Sequence, residues 1–120
     1  MKLKRELLDF LLEAARSIHP KEFAGILRKR DDIIEDVLLL PGTSSSDRSA
    51  LLQLHMLPID PNVIGTVHSH PSPSLTPSSA DLELFDKFGA VHLIIAYPYT
   101  ADSWAAFNHR GEKIEIQVVE

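Results

Sequence analysis

Residues 63 to 69 constrain the chain more than any other segment: Val-Ile-Gly-Thr-Val-His-Ser is apolar on both parities until it ends in His68, Ser69 and His70. A strand whose two faces are both apolar belongs in the middle of a sheet that is covered by helices on each side. The fold class expected from this is α/β, a mixed sheet with one helix before the strand and another after it. Helical spacing of Leu3, Leu7, Leu8, Leu11, Leu12 and Ala15 predicts the first helix over residues 3 to about 18, ending before Pro20. The second is expected over residues 77 to 88, with Thr76 as N-cap, Pro77 in the first helical position and Gly89 as its stop.

His68 and His70 share a parity with Ile64 and Thr66, and residues two apart on a strand point to the same face at roughly 6.6 Å spacing, so both imidazoles can reach one ion. If the Pro-rich loop after His70 folds the helix back over the strand end, Asp81 becomes a third ligand, with Ser78 beside it on the same helix face. Two neutral nitrogens, one carboxylate and no thiolate describe a hydrolytic zinc site with a fourth position left to water. Either half has an ordinary reading alone: two histidines around a serine arise by chance, and Ser78 with Asp81 is common helix-start chemistry. Together they favour a metal site, because polar rings closing an apolar strand are costly to bury without partners.

The run His68-Ser69-His70-Pro71, then Ser78, then Asp81, resembles the signature H-[ST]-H-P-x6-S-x2-D of the JAMM (MPN+) metalloprotease family. Glu22-Phe23-Ala24-Gly25-Ile26-Leu27 is similar to that family's E-x-x-G-hydrophobic-hydrophobic opening, and the order of elements matches over nearly the whole chain. The resemblance implies a cytidine-deaminase-like JAMM/MPN architecture and one Zn2+ per chain held by His68, His70 and Asp81. It also implies Glu22 as general base and Ser78 as the group that stabilises the oxyanion. The implied substrate is an isopeptide or peptide bond at the C-terminal tail of ubiquitin or a ubiquitin-like modifier, bound by strand addition at a sheet edge beside the zinc. Two further readings stay open: processing of a ubiquitin-like sulfur carrier by the same chemistry, and a non-catalytic MPN-type binding or scaffold module.

Composition removes competing classes. The 120 residues contain no cysteine, so disulfide scaffolds, thiolate zinc sites, iron–sulfur clusters and cysteine nucleophiles are unavailable. A cytidine-deaminase site needs cysteine ligands, a metal-dependent barrel needs about 250 residues, and H-E-x-x-H is absent. A formal net charge of −5 argues against a nucleic-acid partner. No apolar run approaches the ~18 residues of a membrane span, and the charged first helix lacks a cleavage site, so a mature cytoplasmic protein is expected.

The length suits one domain over 1–120. Strands are expected near 22 to 30, 33 to 40, 49 to 57 (an edge strand holding a structural His55), 63 to 69, 91 to 97, 103 to 108 and 113 to 119. Residues 41 to 47 are expected to form a surface loop. His19, His92 and His109 read as structural or solvated, and Trp104 and Phe107 as core or half-buried sheet residues.

Overall fold

A computed structural model describes residues 1–40 and 60–120. The expected loop over 41 to 47, the edge strand over 49 to 57 and His55 lie outside the described residues. In chain order the elements are β1 (Lys2–Lys4), α1 (Arg5–Ile18), β2 (Ala24–Arg30), β3 (Ile33–Leu40), β4 (Val63–His70), α2 (Ser79–Lys87), β5 (Val91–Ala96), β6 (Trp104–Phe107), β7 (Lys113–Ile114) and β8 (Gln117–Val119). The described strands form one mixed sheet in the order β7-β6-β5-β4-β2-β3-β1-β8. The α/β class and the central place of the apolar strand are as expected, and no described helix is long and apolar enough to cross a membrane.

Alternation divides the sheet into two covered faces. On one, α1 lays Leu7, Leu8, Leu11, Leu12 and Ala15 against Phe23, Leu27, Val67, Leu93 and Ile95, which form the main core. On the other, α2 buries Leu84 with Ala24 and Ile26, and Phe85 with Ile94 and Phe107. His68 belongs to this second face, since it pairs with Ala24 on β2 and Ile94 on β5. Because β4 and β5 run parallel, a crossover must join them, and α2 is that crossover.

Three sequence expectations are corrected. The first helix begins at Arg5, because Lys2–Lys4 instead pair in parallel with β3 and β8, burying Leu3 within the sheet. Residues 113 to 119 are not one strand: Lys113–Ile114 pair with β6, while Gln117–Val119 pair with β1 at the opposite end of the order. Only Glu115 and Ile116 separate the two, and the three steps from Ile114 to Gln117 span at most about 11 Å, so the sheet must curl until its ends approach. Third, the N-cap of α2 is Ser78, not Thr76: a reciprocal capping box with Asp81 satisfies two backbone donors, which a cap at Thr76 would leave to other partners.

The pairing of β4 with β5 is tight at one point, where Gly65 lies opposite Val91. A Cβ on Gly65 would lie 2.6 Å from the carbonyl carbon of Val91, which is backbone and cannot step aside. Gly65→Ala is therefore expected to cost about 4 kcal/mol or more, at the severe end for single substitutions. Urea unfolding monitored by circular dichroism measures this, and a loss below ~1 kcal/mol would contradict the close packing of β4 on β5.

Candidate metal centre

At the C-terminal end of β4 the alternation of the strand sends His68 and His70 to the α2 face, where Asp81 meets them. One donor atom from each of the three residues lies within 4.8 Å of the others. His68 Nε2 is 3.1 Å from Asp81 Oδ1, and His70 Nε2 is 3.4 Å from Asp81 Oδ2. Those separations are close to ~3.4 Å, the edge of a tetrahedron with arms of the usual zinc length, about 2.1 Å. His68 and Asp81 are buried, and His70 is at the rim.

The local folding that positions Asp81 is the capping box. Its Oδ2 accepts from the Ser78 N–H at 2.8 Å, while its own N–H donates to Ser78 Oγ at 3.1 Å. Helix-start chemistry and clustering with the histidines are thus not alternatives but two duties of one carboxylate. Burial alone would raise its pKa, yet the adjacent His68 and His70 rings, with the Ser78 N–H, outweigh this and hold it well below the usual carboxylate range. An anionic ligand is therefore ready at neutral pH. The His70 imidazole is held above its ordinary value, chiefly by Asp81 and against the effect of burial.

Donor chemistry fits zinc. His70 Nδ1–H donates to the Ser74 carbonyl at 2.9 Å, which fixes the tautomer and leaves the Nε2 lone pair facing the cluster. The Pro-rich loop therefore orients a ring as well as returning the chain. Nitrogen, nitrogen and carboxylate oxygen without sulfur is the donor set of hydrolytic zinc sites with an open position.

Comparison with known proteins decides the family. The model for prokaryotic homologs of the JAB domain matches residues 4–107. The chain belongs to the JAMM family. It is 41% identical to a probable metalloprotease of Haloferax volcanii, over 96% of this chain and 77% of that one. It is 45% identical, at a TM-score of 0.83, to a JAB1/MPN domain protein from Archaeoglobus fulgidus, with 100% of both chains covered. A solved structure described as a JAMM metalloprotease-like zinc site in the proteasome and signalosome is 42% identical at a TM-score of 0.80, covering 100% of this chain and 98% of that one. The zinc site is that structure's, and His68, His70 and Asp81 are the group of this chain that could hold a metal ion; the chain is a metalloprotease by family.

Glu22 precedes β2 by two residues and shares the parity of Ala24, the partner of His68. It is partly buried, its charge acts to raise the pKa of both His70 and Tyr99, and it does not join the ligand group. Sequence reasoning missed what lies around it. His19 Nδ1 meets the hydroxyl of Tyr99 at 2.8 Å, and His19 stacks on Tyr97 with centroids 4.9 Å apart. The Tyr97 N–H donates to the His70 carbonyl, so this aromatic group borders the strand end. Tyr97-Pro98-Tyr99 was a visible signal, but the register that sets it beside His70 is not local.

Under the centre, His92 is fully buried against Phe85, with ring centroids 4.3 Å apart. Its Nε2–H donates to the Gly89 carbonyl at 3.1 Å and Nδ1 accepts from the Thr66 hydroxyl at 2.7 Å, an arrangement that suits the neutral ring. Burial pushes its pKa down to about 4. The unfolded chain takes up that proton first, so the stabilisation is complete above the ordinary histidine pKa of ~6.5 and is lost as pH falls toward 4. Between pH 7 and 4.5, metal-free wild type should lose on the order of 2 kcal/mol more stability than His92→Gln, the other histidines being common to both. Urea unfolding at the two pH values checks this, and equal losses would contradict it.

Proposed function

We propose that this JAMM metalloprotease hydrolyses the amide bond at the C-terminal tail of a ubiquitin-like modifier, with His68, His70 and Asp81 holding the zinc, Glu22 as general base and Ser78 as oxyanion donor. The observation that carries the reading is the convergence of two imidazoles and a buried carboxylate, with Glu22 two residues before Ala24, the strand partner of His68. Zinc, when bound, polarises the scissile carbonyl and lowers the pKa of water to about 7. Glu22 takes the proton from the attacking water and returns it to the leaving amine, which needs a carboxylate that is not itself a ligand. Ser78 Oγ accepts from the Asp81 N–H, and a hydroxyl that accepts still has its own proton to give to the developing oxyanion. Asp81 would serve as the anionic ligand, its Oδ2 still accepting from the Ser78 N–H.

The same centre serves a modifier–lysine isopeptide bond and a peptide bond at the tail of a sulfur carrier, since both present an extended C-terminal strand and an amide. Purified zinc-loaded protein incubated with a modifier–lysine conjugate and with a tail-extended modifier separates them, and cleavage of neither would overturn the substrate class. The intact donor set and the capping box that aims it favour catalysis over a scaffold role.

Replacing His68, His70 or Asp81 by Ala should reduce bound zinc sharply while the circular dichroism spectrum stays native, because the two cores do not depend on these side chains. Metal analysis of each purified variant checks this, and full occupancy in Asp81→Ala would remove Asp81 from the ligand set. Glu22→Gln should retain zinc and lose nearly all hydrolysis.

Ser78→Ala separates the two duties of that hydroxyl. Loss of the cap should cost about 1 kcal/mol of stability, and loss of the oxyanion donor should lower kcat roughly 100-fold or more with a much smaller change in KM. An unchanged kcat with the stability loss intact would leave Ser78 as a helix cap only.

A further inference from the structure

We propose that Ser69, the residue between the two histidines, is a positioning residue for Glu22, an inference that rests on Glu22 being the base. Alternation turns Ser69 away from the face that carries His68 and His70, so its side chain has no direct part in the metal centre. It is nonetheless 1% exposed and hydrogen-bonded: its Oγ accepts the backbone N–H of Phe23 at 2.9 Å.

The location of this bond gives it its consequence. The ladder between β2 and β4 runs from Arg28 opposite Val63 up to Ala24 opposite His68, and Phe23 with Ser69 is the next pair. In an antiparallel ladder two such residues exchange backbone bonds. The Ser69 N–H does donate to the Phe23 carbonyl, at 3.0 Å, but the return bond from the Phe23 N–H is accepted by the Ser69 hydroxyl. A side chain thus stands in for a ladder carbonyl where the strands part, at the residue that follows Glu22 in the chain. The Phe23 ring is fixed in the α1-side core, so ring and N–H together define the backbone from which Glu22 reaches to the opposite face.

Without the hydroxyl, the Phe23 N–H would lose its buried acceptor, and the entry of β2 could relieve this only by shifting. A misplacement of about 1 Å at a reacting group costs roughly 100-fold in rate. Ser69→Ala should therefore lower kcat about 10- to 100-fold, leave KM and zinc content near wild type, and speed hydrogen exchange at the Phe23 amide. Ser69→Thr, which keeps the hydroxyl, should restore both rate and protection.

The test uses the zinc-loaded full chain and a modifier conjugate that the wild type cleaves. Wild type, Ser69→Ala, Ser69→Thr, Glu22→Gln and the Ser69→Ala/Glu22→Gln double variant are compared by single-turnover rate, zinc content and Phe23 amide exchange. If Ser69 acts through Glu22, Ser69→Ala adds no further loss in the Glu22→Gln background. Losses that multiply, an unaltered rate in Ser69→Ala, or unaltered Phe23 exchange overturn the proposal while leaving the base assignment standing. A fully active Glu22→Gln overturns the base assignment itself. Should Ser69→Ala fail to fold, Ser69→Cys, nearly isosteric with a weak acceptor, takes its place with the same expected outcomes.

Discussion

The carboxylate of Asp81 is the joint on which the active region depends. It is fully buried, yet it is engaged on two sides, by the Ser78 backbone at the start of α2 and by the rings of His68 and His70 at the end of β4. A buried charge with fewer partners would be costly, and each partner here also has a structural task. Capping fixes where the helix begins, and the histidines fix how that helix end sits over the strand. The geometry of the donor cluster and the helix boundary are therefore one constraint.

Below that joint the sheet provides rigidity. β4 is flanked by β2 and β5, with hydrophobic clusters on both faces, so the strand carrying the histidines cannot tilt without disturbing either cover. Gly65 and Gly89 mark where backbone comes too close for a side chain, and Gly89 also takes a positive φ of 92° at the end of α2. His92 fills the space beneath the centre as a neutral, doubly hydrogen-bonded ring stacked on Phe85, whose ring in turn stands 6.2 Å from that of His68. Polar groups in this layer are tied to one another rather than left to water.

Much of the fold could be read locally because its signals are local. The amphipathic stripe of α1, the apolar strand and the stop at Gly89 each depend on residues a few positions apart. Errors fell where two local patterns competed or where a distant partner decided. Leu3 fits a helix with Leu7, but its backbone is claimed by β3 and β8. Ile114, Ile116 and Val118 keep one alternation through residues that join opposite ends of the sheet, and all three pack against the main core. Thr76-Pro77 and Ser78 through Asp81 are both plausible helix starts, and reciprocal bonding favoured the second.

For the centre, sequence alone determined which chemistry was available. Matched parity of His68 and His70, Asp81 within the next helix and the absence of cysteine define a nitrogen and oxygen donor set whatever the fold does elsewhere, because these follow from covalent spacing and side-chain type. Tertiary structure alone decided which remote groups attend that set. The approach of Glu22 to His70, the bond from Ser69 to Phe23, and the His19, Tyr97 and Tyr99 cluster at the strand end all depend on the register of β2 and β5 against β4. Register is set by how whole strands bury their alternate faces, and no short window of sequence carries that information.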